Sequence, residues 1–130
     1  MKFLLDTNAV IAILKGHEPF LKQLRAHRPA DFGIPSIVAH ELFFGAYKSH
    51  QTETNLRKIE GLLLEILEFD GEDARHAGAL RASLSARGAP IGPYDVLIAG
   101  QAMARDLTLI THNTREFHRI DGLRVEDWER

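Results

Sequence analysis

The sequence predicts an α/β fold with a largely parallel sheet, and three observations predict it. Short apolar runs recur at Phe3-Leu4-Leu5, Phe32-Gly33-Ile34 and Leu107-Thr108-Leu109-Ile110, of the length a buried strand needs. Stretches with apolar residues at helical spacing separate them. The two kinds alternate from one end of the chain to the other, which is the order a layered α/β architecture leaves in a sequence.

Taken in order, Phe3-Leu4-Leu5 is a buried strand that ends at Asp6. Thr7 and Asn8 are cap-type residues, and Val10, Ile11 and Leu14 carry a helix that Gly16 can stop. Phe20, Leu21 and Leu24 share one face of a second short helix after Pro19. Phe32-Gly33-Ile34 is the next strand, closed by Pro35, and Ser36 reads as the cap of the helix after it. Ile37, His40, Glu41, Phe44 and Lys48 fall on one face of that helix. A longer helix is expected from Glu53 to Leu64, a short strand over Ile66-Leu67-Glu68-Phe69, and a helix from Asp73 to Arg87 stopped by Gly88. Pro93 opens a further helix at its favoured first position. The run ending at Ile110 gives way to Thr111-His112-Asn113, and Leu123-Arg124-Val125 reads as a final edge strand.

The 130 residues suit a single domain over the whole chain, and 45% hydrophobic content suffices for one core. A charged fraction of 26% argues against global disorder. Sixteen basic and eighteen acidic side chains, a net charge of -2, neither require nor exclude a nucleic-acid partner. Without cysteine there is no disulfide and no thiolate zinc site. Seven histidines are present, but none forms the His-Glu-x-x-His pattern. His40 reads as a helix-surface residue and His112 as a weak candidate for a substrate contact. Asp6 ends the first apolar run too early for a signal peptide. No stretch approaches the roughly 20 apolar residues of a membrane span. The expectation is a soluble, cytoplasmic protein with no membrane contact.

In an open parallel sheet, ligands gather at the carboxyl ends of the strands. Asp6-Thr7-Asn8 lies at one such end and Thr111-His112-Asn113 at another, and Tyr94-Asp95 opens the helix leading into the later strand. Glu41 sits among Ala39, Leu42, Phe43 and Phe44 with no Lys or Arg within four residues, so it needs a partner. A metal ion is one way to supply it. Each acid also has a simpler explanation. Asp95 suits the positive end of a helix dipole, Asp6 can cap the first helix, and Glu41 can face solvent.

Several segments carry a resemblance. Phe-Leu-Leu-Asp-Thr-Asn at 3–8, Pro-Ser-Ile-Val-Ala-His-Glu-Leu at 35–42, Gly-Pro-Tyr-Asp-Val-Leu-Ile-Ala at 92–99 and Leu-Ile-Thr-His-Asn-Thr-Arg-Glu-Phe at 109–117 resemble, in order, the four motifs of PIN-domain ribonucleases. Gly-Leu-Arg-Val-Glu-Asp-Trp at 122–128 is similar to the tail of VapC toxins. The resemblance implies a three-layer fold, a mainly parallel sheet of about five strands with helices on both sides. It also implies a magnesium site, with manganese as a substitute, held by Asp6, Glu41 and Asp95. The fourth acidic place of many PIN domains looks to be Asn113 here, a neutral oxygen ligand. Thr7, Asn8 and Thr111 are the supporting residues.

The implied activity is metal-dependent endoribonuclease cleavage of structured RNA, with tRNA and initiator tRNA among the targets and translation as the process stopped. Arg87 and Arg115 are placed to reach phosphates, and Tyr94 to stack on a base or to pack in the core. A VapB-like antitoxin is the implied partner, in a hetro-oligomer built on a toxin homodimer, with Ile37, Phe43, Phe44 and Tyr47 available for either contact. Two other readings compete. A HAD-type phosphohydrolase also starts with a strand ending in Asp, but it needs a second acid where this chain has Asn8. A non-catalytic RNA- or protein-binding module on the same scaffold would not need all three acids.

Overall fold

In the computed structural model, which describes residues 1–130, five strands form one sheet: β1 (Phe3–Leu5), β2 (Phe32–Pro35), β3 (Glu65–Leu67), β4 (Thr108–Ile110) and β5 (Val125–Glu126). Their order is β3-β2-β1-β4-β5, and every neighbouring pair is parallel. Phe3 stands opposite both Phe32 and Thr108, and Leu5 opposite Ile110. Seven α-helices connect and flank the strands: α1 (Thr7–Leu14), α2 (Glu18–Arg25), α3 (Ser36–Lys48), α4 (Thr52–Glu60), α5 (Gly71–Ala86), α6 (Pro93–Ala104) and α7 (Thr114–Phe117). The α/β class and the five-stranded parallel sheet are as expected.

Successive side chains on a strand point to opposite faces. Phe3, Leu4 and Leu5 are nevertheless all buried, so β1 is covered on both sides. From β1 the chain moves to β2 and β3 on one flank, then crosses to β4 and β5 on the other. The reversal leaves a crevice beyond the carboxyl ends of β1 and β4, the place where such sheets bind ligands. Asp6 follows β1 directly and Thr111 follows β4 directly.

Several boundaries differ from the sequence reading. Ser36 is the first residue of α3 and makes no cap bond; Pro35 holds the cap position. The helix expected to reach Leu64 ends at Glu60, and Leu63 takes a positive φ of 54°, which turns the chain into β3. β3 covers Glu65–Leu67 instead of 66–69. The helix expected from Asp73 begins at Gly71 because Asp70 caps it and Asp73 returns a bond to the Asp70 N–H. α7 was not foreseen, since four residues carry no periodicity.

Asp73 joins α5 to α6. Its carboxylate accepts from Arg105 Nη2 at 3.0 Å and from Gln101 Nε2 at 3.1 Å. Burial pushes its pKa up, but Arg105, the Asp70 N–H and Gln101 more than offset this and hold it below the ordinary value. At the far end of the chain, Trp128 packs edge-on against Phe3 and Phe20 and stacks on His27 at 5.6 Å. That cluster fixes the C-terminal segment beside β1. No helix is long and apolar enough to cross a membrane.

α6 approaches α5 most closely at Gly100. A Cβ there would lie 2.5 Å from the Ala77 Cα and 2.6 Å from its N, backbone atoms that cannot step aside. Gly100→Ala should therefore force the helices apart and cost about 1–3 kcal/mol, read as a lower denaturant midpoint with unchanged slope. Stability equal to that of the parent would contradict the packing described.

Candidate active site

The crevice collects acids from four elements. Asp6 caps α1, and one oxygen of its carboxylate accepts from the Ala9 N–H at 2.9 Å. Its capping role is therefore real, but it occupies a single oxygen. The residue is only 6% exposed. Burial raises its pKa to about 6, against the Thr111 hydroxyl and the Ala9 N–H, with the charges of Glu129 and Glu41 adding to the rise. Thr111 is buried beside it, and its Oγ1 accepts from the Asn113 N–H at 2.9 Å.

Glu41 projects from α3, half-buried. Its Oε1 accepts from Thr7 Oγ1 at 3.0 Å, which ties α3 to the residue after Asp6. Thr7 thus lies between Asp6 and Glu41 and fixes the direction of the Glu41 carboxylate. Asn8, next in the chain, is exposed on the other side of α1 and lines a separate pocket with His112 and Glu129.

Asp95 lies in the first turn of α6. A helix-capping acid at this place would return its carboxylate to the Gly92 N–H. Here that N–H goes to Glu116 Oε1 at 2.8 Å instead. Asp95 folds back over the helix start, close enough that a Cβ on Gly92 would meet its Oδ2 at 3.1 Å. Capping consequently does not account for Asp95. Burial, a hydrogen bond with Glu116, and the charges of Glu116, Asp6 and Glu41 raise its pKa to about 7.

Glu116, on α7, is the member of the cluster that the sequence reading missed. The fourth acidic place was assigned to Asn113, but Asn113 Nδ2 donates to Glu116 Oε2 at 2.5 Å, so the amide positions the acid. Burial acts to raise the Glu116 pKa, yet the Gly92 N–H, Asp95 and Asn113 outweigh it and hold Glu116 below its ordinary value. Their hydrogen bond favours the protonated form of Asp95 and the ionised form of Glu116. A helix starting at Thr114 brings residue 116 to the same side as its preceding cap residue, and that spacing was the available signal.

The loop before Asp95 is stitched to α7. Arg87 donates to the Arg119 carbonyl, Arg119 Nη1 donates to the Pro90 carbonyl at 3.1 Å, and Glu116 holds Gly92. Arg87 is therefore engaged in structure. Arg115 is exposed at the start of α7 with no hydrogen-bond partner within the chain. Tyr94 is exposed, edge-on to the His40 ring at 5.7 Å, and not in the core. His40 is on the helix surface. None of the ion pairs in the molecule involves Asp6, Glu41, Asp95 or Glu116.

A groove of about 330 Å³ begins at Thr7 and Glu41 and runs between α1, α3 and α4, lined by Ile11, Leu14, Leu42 and Ile59. On α3, Ile37 and Phe43 pack partly against the core, whereas Phe44 and Tyr47 are exposed.

The PIN domain family matches residues 3–123. The chain is 43% identical over 130 residues to the tRNA(fMet)-specific endonuclease VapC of Salmonella typhimurium, covering 98% of each. Among solved structures, DNA-bound VapBC from Salmonella typhimurium superposes with a TM-score of 0.93 at 44% identity, again over 98% of each chain. VapBC2 from Rickettsia felis, bound to a promoter DNA fragment, superposes with a TM-score of 0.90 at 36% identity over 98% of this chain and 99% of that one. The chain belongs to the PIN domain family and, within it, to the VapC ribonucleases.

Proposed function

We propose that the chain is a magnesium-dependent endoribonuclease toxin that cleaves initiator tRNA, stops translation, and is silenced by a VapB-like antitoxin. The observation that carries the metal-dependent reading is the gathering of Asp6, Glu41, Asp95 and Glu116 in one cleft with no Lys or Arg ion-paired to any of them. Burial and the neighbouring carboxylates raise the pKa values of Asp6 and Asp95, and a cation would offset that charge. The donors are all carboxylate oxygens, the set that hard divalent ions prefer. Asp6, Glu41 and Asp95 would hold magnesium, or manganese in its place, and the ion would activate water and offset charge on the scissile phosphate.

The chain's own groups set the arrangement. The Ala9 N–H and Thr111 orient Asp6, Thr7 orients Glu41, and Glu116 holds Asp95 through a shared proton. Asn113 and the Gly92 N–H favour the ionised form of Glu116 beside Asp95, so the proton that Asp95 would give up on loading passes to solvent. Arg115 and Tyr94, both exposed beside the cleft, suit contacts to a phosphate and a splayed base. Water would attack the phosphorus and the P–O3′ bond would break, the 3′ oxygen leaving with a proton, so that cleavage gives a 5′-phosphate and a 3′-hydroxyl.

The similarity to a relative named for tRNA(fMet) favours initiator tRNA as the substrate. Relatives solved as VapBC complexes support the antitoxin. The apolar groove starting at Thr7 and Glu41 suits an amphipathic segment of that partner, which would lie directly against the acids. Exposed Phe44 and Tyr47 suit a second toxin copy. A cytoplasmic location follows from an RNA target.

Antitoxin-free protein should cut initiator tRNA into discrete fragments with magnesium and not with EDTA. Asp95→Asn should slow cutting by about 100-fold or more, read on denaturing gels. Cutting that survives both EDTA and Asp95→Asn would overturn the mechanism.

The raised acids also fix the sign of a pH effect. Well below pH 3.8 each acid is protonated in folded and unfolded chains alike, and neither makes stability depend on pH. Between the ordinary value and the raised folded value, folding is favoured less and less as pH rises. Asp6 alone, raised from 3.8 to about 6, should cost metal-free protein about 3 kcal/mol at neutral pH. Metal-free protein should thus lose thermal stability from this cluster between pH 5 and pH 8, and magnesium should restore it at pH 8 far more than at pH 5. Asp95→Asn should be more stable than the parent without metal at pH 8. A midpoint independent of magnesium at both pH values would contradict this.

A further inference from the structure

A second group of ligand-type side chains lies at the same end of the sheet, and no role above uses it. We propose that His112, Asp127 and Glu129 form a site for a first-row transition-metal cation of the zinc or nickel kind, which ties the C-terminal segment to the loop after β4. The imidazole nitrogen and the two carboxylate oxygens all lie within 4.8 Å of one another. His112 Nδ1 is 3.1 Å from Asp127 Oδ2 and 3.8 Å from Glu129 Oε2. Four-coordinate zinc with bonds of roughly 2.1 Å sets its ligand atoms about 3.4 Å apart, and the two distances from His112 Nδ1 bracket that spacing.

A His–Asp hydrogen bond explains the 3.1 Å separation by itself. It does not explain Glu129. The Oε2 of that residue is shielded from solvent and has no hydrogen-bond donor, yet it turns toward the same imidazole nitrogen. A shielded carboxylate oxygen without a donor is unfavourable unless a cation meets it. Asp127 is likewise sheltered, at 7% exposure, whereas His112 is 61% exposed and gives a cation a way in from solvent.

The donors are held before any cation arrives. Trp128, between the two acids in the chain, is locked into the aromatic cluster under β1. The Glu129 N–H donates to Asp127 Oδ1 at 2.9 Å, and His17 Nε2 is 2.9 Å from the Glu129 carbonyl. The exposed Arg130 side chain, 3.2 Å from Asp127 Oδ2, is the group a cation would displace. Lys15 lines the adjoining pocket of about 380 Å³ but is ion-paired to neither acid. Three protein donors leave a coordination position open toward that pocket.

The nitrogen donor separates this site from the acids of the cleft. Imidazole suits zinc and nickel, while magnesium keeps to oxygen. The proposal stands whether or not the chain cleaves RNA. It is tested by calorimetric titration of the full chain with Zn²⁺ in excess Mg²⁺, alongside the thermal midpoint. The parent and Asp95→Asn should each bind one Zn²⁺ and gain thermal stability. His112→Gln and the conservative Glu129→Gln should each lose that event and that gain, with His112→Gln melting as the parent does without zinc. Absence of Zn²⁺ binding by the parent, or an isotherm unchanged in His112→Gln and Glu129→Gln, would overturn the proposal.

Discussion

Repulsion among carboxylates confined in one cleft is the constraint around which the rest of the molecule is arranged. Burial raises the pKa values of Asp6 and Asp95, and the charges of the neighbouring carboxylates add to the rise. Three of the four acids are nevertheless held by neutral donors: Ala9 N–H for Asp6, Thr7 for Glu41, Gly92 N–H and Asn113 for Glu116. Hydrogen bonds from neutral groups fix direction without cancelling charge. The cluster keeps its negative potential and so its affinity for a cation. An arginine in the same place would have stabilised the fold and removed the site.

The sheet makes this arrangement possible. Because β1 lies between β2 and β4, its carboxyl end opens at the point where the chain order reverses. Asp6 is placed there by a strand of only three residues, all buried, so the register cannot slip without exposing Leu4 or Leu5. The opposite wall is supplied by α6 and α7. Their relative position depends on Arg87, Arg119 and Glu116 bridging the 87–92 loop to α7. Remote basic residues here serve the geometry of the acids.

The alternation of strands and helices, the strand ends at Asp6 and Thr111, and the helix opening at Pro93 were legible in the sequence because each rests on local rules of periodicity and capping. Glu116 was not legible. Its place depends on a four-residue helix, too short for its spacing from Asn113 to stand out, and on a bond to Gly92, 24 positions away, that no local pattern encodes. Asp95 suits the helix dipole as any first-turn acid does; the Gly92 N–H bond to Glu116 excludes only a capping role for it. The helix predicted to run to Leu64 failed because periodicity continued past Gly61 while the backbone turned at Leu63. His112, Asp127 and Glu129 escaped notice because their proximity is produced by β4–β5 pairing and the burial of Trp128.

The central claim is that the crowded acids await a divalent cation. Calorimetric titration with Mn²⁺ near pH 6.5, repeated in two buffers of different ionisation heat, tests it most directly. The account predicts binding accompanied by proton release, since Asp95 and part of Asp6 carry protons until the cation arrives. It also predicts that Asp6→Asn weakens binding and reduces the release. No binding, or binding of equal strength in Asp6→Asn with no protons released, would contradict it.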